Sequence, residues 1–154
     1  FRELAKLGLL KHLFSQTEEN LFVSASLINT SERIKRGNSV TPAFLFAVFL
    51  WSAVNKRLNQ INKKNKSQAD LMLQASEDVI RQQAKQVMMP RWLSSRVRDV
   101  WLMQYQLENY NPKKSKALIS NPRFRMAYDF LLLRSESIDK DLKVKAAYWT
   151  NIQQ

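Results

Sequence analysis

Asp139 and Asp141, two residues apart, form a D-x-D pair of the kind that can hold Mg²⁺ in phosphoryl transfer, provided both carboxylates face one ion. On a helix, residues two apart point about 200° away from each other, so this pair diverges. Placed after Ser137 near an expected helix start, the two aspartates are better matched to the positive end of the helix macrodipole. The single histidine, His12, excludes a His-pair metal site and leaves a Ser-His-Asp triad only one possible base, so it reads as structural. With no cysteine there is no disulfide, thiolate zinc site or cysteine nucleophile, which fits a reducing, cytoplasmic address. Neither G-x-x-x-x-G-K nor G-x-G-x-x-G occurs, so neither of those phosphate-cradling loops is present. The expectation is no catalytic residue and no metal ligand on this chain.

Binding chemistry is better represented. Between residues 85 and 125, nine Lys or Arg (Lys85, Arg91, Arg96, Arg98, Lys113, Lys114, Lys116, Arg123, Arg125) face two acids, Asp99 and Glu108, a local excess of +7 within a net charge of +12. Such clustering points to a polyanion, because neutralised phosphates release their counterions. Aromatic residues interleave with the cations: Trp92 follows Arg91, Trp101 and Tyr105 follow Arg98, Tyr110 precedes Lys113, and Phe124 separates two arginines. Rings of this kind stack unpaired bases. Trp101 and Phe124 fall on apolar stripes and are assigned to the core. Trp92 and Tyr110, beside helix breaks, are the candidate stacking rings.

The elements that must position these residues are helical. The chain has 154 residues, 45% of them hydrophobic, and only two glycines, too few for a sheet with tight hairpins. Apolar residues recur at i, i+3, i+4, which predicts an all-α, compact multi-helix bundle of about eight helices and no sheet, forming one helical body over 1–154. Thr41-Pro42, Asn111-Pro112 and Asn121-Pro122 read as a cap followed by proline at the first helical position, and Ser67-x-x-Asp70 as a capping box. Helices are expected at 1–14, 17–36, 42–63, 68–88, 94–110, 112–119, 122–136 and 139–152. Gly37 ends the second of these, and Pro90 forces a break before Arg91. Within 94–110, Val97, Val100, Trp101 and Leu107 make the buried stripe. Gln104 falls inside it, so either its amide is satisfied by a neighbouring helix, the favoured reading, or the stripe is only partly buried. The longest apolar run, residues 43–51, is short of the ~20 residues a membrane span needs, so no membrane partner is expected.

Four blocks resemble the C-terminal half of bacterial poly(A) polymerases: Thr41-Pro42-Ala43-Phe44-Leu45-Phe46-Ala47, Met89-Pro90-Arg91, Arg98-Asp99-Val100-Trp101, and the run from Asn121-Pro122-Arg123-Phe124-Arg125 through Met126-Ala127-Tyr128-Asp129-Phe130 to Leu131-Leu132-Leu133-Arg134. The similarity runs from Thr41 to about Trp149. It implies a polynucleotide adenylyltransferase, related to the tRNA CCA-adding enzymes, that extends RNA 3′ ends from ATP with Mg²⁺. The family's catalytic groups lie in an N-terminal head that no position here matches. The chain therefore reads as a fragment without cofactor of its own, one that holds single-stranded RNA 3′ ends for that head. Candidate RNA contacts are Arg91, Arg98, Lys113, Lys114, Lys116, Arg123 and Arg125. Lysine at 113, 114 and 116, where the family is often arginine-rich, suits point-charge contact with phosphate. The alternative from charge alone is a non-enzymatic module docking an acidic protein partner. Duplex DNA is the weaker third reading, because the apolar load of 94–110 leaves few side chains to read a groove.

Overall fold

The structure, a computed structural model, describes residues 20–37 and 41–153. The expected first helix and His12 lie outside them. The described chain forms eight α-helices: α1 (Leu21–Lys35), α2 (Pro42–Phe49), α3 (Trp51–Gln60), α4 (Gln68–Ala84), α5 (Arg91–Glu108), α6 (Ser115–Ile119), α7 (Phe124–Ser137) and α8 (Lys143–Ile152), with 3₁₀ turns at Pro112–Lys114 and Lys140–Leu142. Among the described residues there is no strand, and the fold is all-α as expected.

Local signals explain most boundaries. Ser67 and Asp70 close a reciprocal capping box at the start of α4, with Ser67 Oγ accepting the Asp70 amide at 3.1 Å and Asp70 Oδ2 accepting the Ser67 amide at 3.3 Å. Gly37, at φ +77°, supplies the left-handed residue just after α1. Pro42 is the first residue of α2.

The helix expected at 112–119 opens as a 3₁₀ turn and becomes α-helical only at Ser115, the one expected to 88 ends at Ala84, and the one expected from 17 starts at Leu21. Four further differences have a visible cause. The helix expected at 42–63 breaks at Leu50, where φ and ψ are −99° and 0°. The cause is distant in sequence: the Trp101 indole N–H donates to the Ala47 carbonyl at 3.0 Å, taking an oxygen that an unbroken helix would offer to the amide of residue 51. The helix expected from 94 begins at Arg91, because the Pro90 carbonyl accepts the amides of Leu93 and Ser94, both at 3.0 Å. The helix expected from 122 begins at Phe124; Asn121 Oδ1 takes the Arg123 amide at 2.9 Å and builds a turn first. Asp139 does not cap a helix: it accepts from Arg134 Nε at 3.0 Å, and a 3₁₀ turn follows before α8.

The helices α5 and α7 form the centre and run parallel. Asp99 meets Arg123, Gln104 meets Ala127, and Glu108 meets Arg134, so both numberings increase together. A parallel pair needs a crossover, and residues 109–123 provide it. One core cluster packs the first part of α5 and Phe130 against α1 to α4. The other packs Met103, Leu107, Phe124, Tyr128 and Leu131 around Trp149 of α8. Phe130 is completely buried and meets Phe22 and Trp51 edge-on, with centroids 5.0 and 5.3 Å apart.

Candidate nucleic-acid interface

Seven residues make almost two helical turns, so Arg91, Arg98 and Tyr105 of α5 lie within roughly 20° of one another step by step, each about 10 Å further along the axis. Arg91 is exposed, Arg98 half-buried, and Tyr105 is 42% exposed. Val97, Val100, Trp101 and Leu107 are buried, which leaves this stripe facing outward. The stripe could form only because the helix starts at Arg91 rather than at 94.

The crossover carries the lysines to the far end of the same helix. Asn111 Oδ1 accepts the Lys113 amide at 3.0 Å, and Ser115 Oγ bonds the Asn111 carbonyl at 3.1 Å and the Tyr148 hydroxyl at 2.8 Å. This fastens the turn to α8 while Lys113, Lys114 and Lys116 stay exposed. Among the described residues, none of these lysines nor Arg91 or Arg98 has an ion-pair partner, so their charge faces solvent.

Arg123 and Arg125 are placed differently from the other candidates. Arg123 Nε lies 3.4 Å from Asp99 Oδ2, a pair that joins α7 to α5 beside Arg98. Arg125 lies 3.5 Å from Asp129 and stacks its guanidinium 5.6 Å from the Tyr128 ring centroid, although its side chain is 74% exposed. Burial pushes the Asp129 carboxyl above the ordinary carboxylate value of 3.8, opposed by the nearby charges of Arg125 and Arg33.

The two candidate rings also diverge. Trp92 is 52% exposed, with the Arg96 guanidinium 5.3 Å from its ring centroid. Tyr110 is stacked on Tyr148 at 3.7 Å with the planes 7° apart, and Trp149 meets it edge-on. One face of Tyr110 is thereby covered, and it belongs to the aromatic cluster of α8. Tyr105, which the sequence reading noted only as a neighbour of the cations, is the exposed ring at this end. Its sequence signal was the seven-residue spacing from Arg91 through Arg98.

Arg134 was legible only as part of a motif. It is 5% exposed and donates to Gln104 Oε1 at 2.8 Å, Glu108 Oε2 at 3.3 Å and Asp139 Oδ2 at 3.0 Å, with its guanidinium 4.8 Å from the Trp51 ring centroid. Gln104 in turn donates to the carbonyls of Val100 and Ala127 at 3.0 and 3.1 Å, so its buried amide is satisfied by α7 as expected. This network fastens the parallel pair and leaves no charge free for a ligand.

Residues 64–154 match the family of the polymerase A arginine-rich C-terminus. The chain belongs to this family. Poly(A) polymerase I of Escherichia coli O157:H7 is 30% identical over 129 residues, which cover 82% of this chain and 28% of that protein. The Salmonella typhi protein of the same name is 29% identical over 133 residues, covering 85% and 29%. That of Haemophilus influenzae is 25% identical over 164 residues, covering 99% and 36%. The chain thus spans 28% to 36% of the length of these curated relatives. The arginine-rich C-terminus match contains every candidate RNA contact, and Thr41-Pro42 with the helices that follow it lies ahead of the matched residues. Among the described residues, no helix is long and apolar enough to cross a membrane.

Proposed function

We propose that this chain is the RNA-holding part of a poly(A) polymerase, gripping single-stranded RNA 3′ ends in the cytoplasm while an N-terminal catalytic head adds adenylates from ATP. One observation carries this reading. Arg91 and Arg98 share a face of α5, and Lys113, Lys114 and Lys116 stand exposed on the crossover at its far end, all five without an acidic partner among the described residues. Membership of a family whose relatives are named poly(A) polymerase I supports it. In this reading ATP and Mg²⁺ belong to the catalytic head.

The five unpaired cations supply nonspecific phosphate contact, and the mobile point charges of lysine impose little base preference. Arg125, largely exposed despite its partner, adds a cation on the α1 side of α7, and Arg123 joins the α5 surface when a phosphate competes with Asp99.

Fluorescence anisotropy with labelled oligo(A) RNA, against a duplex DNA control across a salt series, tests the proposal. Tighter RNA binding that weakens steeply with salt is expected, and replacing Lys113, Lys114 and Lys116 together by Ala should reduce the log–log slope by about 2, at ~0.7 per contact on a single strand. An unchanged affinity and slope would remove the crossover from the interface. Recovery of an acidic protein partner after nuclease treatment, with no RNA binding, would replace the proposal.

A further inference from the structure

The end of α5, the crossover and Trp149 of α8 line an open pocket of about 470 Å³. This is within the size range of small-molecule sites, roughly 300 to 1,000 Å³. Tyr105 and Asn109 from α5, Asn111 and Lys114 from the crossover, and Ala117 and Leu118 from α6 are among the residues that line it. Tyr105 is exposed and has no ring partner among the described residues. Asn109 Nδ2 donates to the Tyr105 carbonyl at 3.0 Å, which leaves its side-chain oxygen to accept. Asn111 Oδ1 is used by the Lys113 amide, which leaves its NH₂ to donate. Lys114 is exposed without an acidic partner, and Glu108, the nearest acid in sequence, is held by Arg134.

The geometry points to a pocket for one unpaired nucleobase of a bound RNA strand, stacked on Tyr105, edge-bonded by the two asparagine amides, with the adjoining phosphate on Lys114. The inference rests on the RNA-holding reading and adds to it a base-dependent contact. An aromatic face, a donor and an acceptor among the lining residues, and a cation beside them match a planar heterocycle attached to a phosphate. A carboxylate of an acidic peptide would use the lysine and the Asn111 donor but leave the Asn109 acceptor and the Tyr105 face without a match.

The experiment compares intact oligo(A) with the same ribose–phosphate strand lacking bases, at several salt concentrations. It uses the full chain and two variants, with thermal melting to confirm folding. Tyr105→Ala removes the stacking face, and Ala117→Leu fills the cavity from an exposed position without adding a ring or charge. Each variant should reduce the preference for the intact strand about tenfold and leave the salt slope unchanged. Adenosine monophosphate, carrying one phosphate, should fail to displace the strand at concentrations where unlabelled oligo(A) does. If the unsubstituted chain binds with a salt-dependent affinity but both variants keep its full preference, the pocket is overturned and the RNA-holding reading stands. Displacement by adenosine monophosphate at oligo(A)-like concentrations would reassign the pocket to a free nucleotide. If the unsubstituted chain binds neither strand, both readings fall together.

Discussion

The indole nitrogen of Trp101 donates to the carbonyl oxygen of Ala47 at 3.0 Å, across 54 positions of sequence, at the point where α2 gives way to α3. A completely buried tryptophan therefore sets the bend of a helix pair it does not belong to. A similar bond closes the C-terminal end of α5, where Trp149 donates to the Leu107 carbonyl at 2.9 Å and satisfies one of the oxygens that a helix C-terminus leaves open.

Replacing Trp101 by Phe keeps a ring but strands the Ala47 carbonyl in the core. A loss of about 1 to 3 kcal/mol is expected from the unsatisfied acceptor, with a further contribution from the smaller ring. Urea unfolding measures it; a variant as stable as the parent would show that the bend at Leu50 does not depend on this bond.

Arg134→Met removes a buried cation while keeping most of the side-chain volume. Glu108 and Asp139, each about a third exposed, can return to water, whereas the Gln104 oxygen in the core loses its donor. The expected cost is about 2 to 4 kcal/mol in chemical denaturation. RNA affinity of the remaining folded protein should not change, because the guanidinium is enclosed; a selective loss of affinity would make Arg134 a contact.

Asp99→Asn should tighten RNA binding. It removes the acid beside Arg98 and releases Arg123, whose ion pair, with both side chains about a third exposed, contributes no more than about 1 kcal/mol to stability. The log–log salt slope should steepen by up to ~0.7 as Arg123 becomes available. Titrations at two salt concentrations are sufficient, and an unaltered slope would place Arg123 outside the strand's path.

Asp129 is a carboxyl whose folded-state pKa is raised by burial above its ordinary 3.8. The folded state therefore holds a proton that the unfolded chain has already released, and stability falls as pH rises through that window. Asp129→Asn should accordingly raise the melting temperature at pH 7, with a gain that shrinks as the pH falls through the raised folded-state pKa and is gone below 3.8. Melting curves from pH 3 to 7 check the sign; destabilisation at pH 7 would mean that the attraction to Arg125 and Arg33 outweighs desolvation.

Local chemistry made much of the fold readable. The Ser67 and Asp70 box, Pro42 at a first turn and Gly37 beyond a last one act through neighbours within a few positions, so their residue types announce their geometry. The stripe of Val97, Val100, Trp101 and Leu107 was equally legible, since burial of one helical face requires that spacing. The break at Pro90 was legible too, but α5 starts three residues before the expected 94 because the Pro90 carbonyl opens it at once, and this shift is what aligns Arg91 with Arg98 and Tyr105.

The sequence by itself determined an all-helical chain, the concentration of positive charge between residues 85 and 125, and the demand of Gln104 for a partner, because periodicity, composition and buried polarity are local properties. Only the tertiary structure decided that α5 and α7 run parallel, that Arg123 and Arg125 are paired while the three lysines are not, and that Tyr110 is covered while Tyr105 is open. Those outcomes follow from packing. Trp149 and Tyr148 must bury their rings against the crossover, and the side chains left over at the end of α5 are the ones that face solvent.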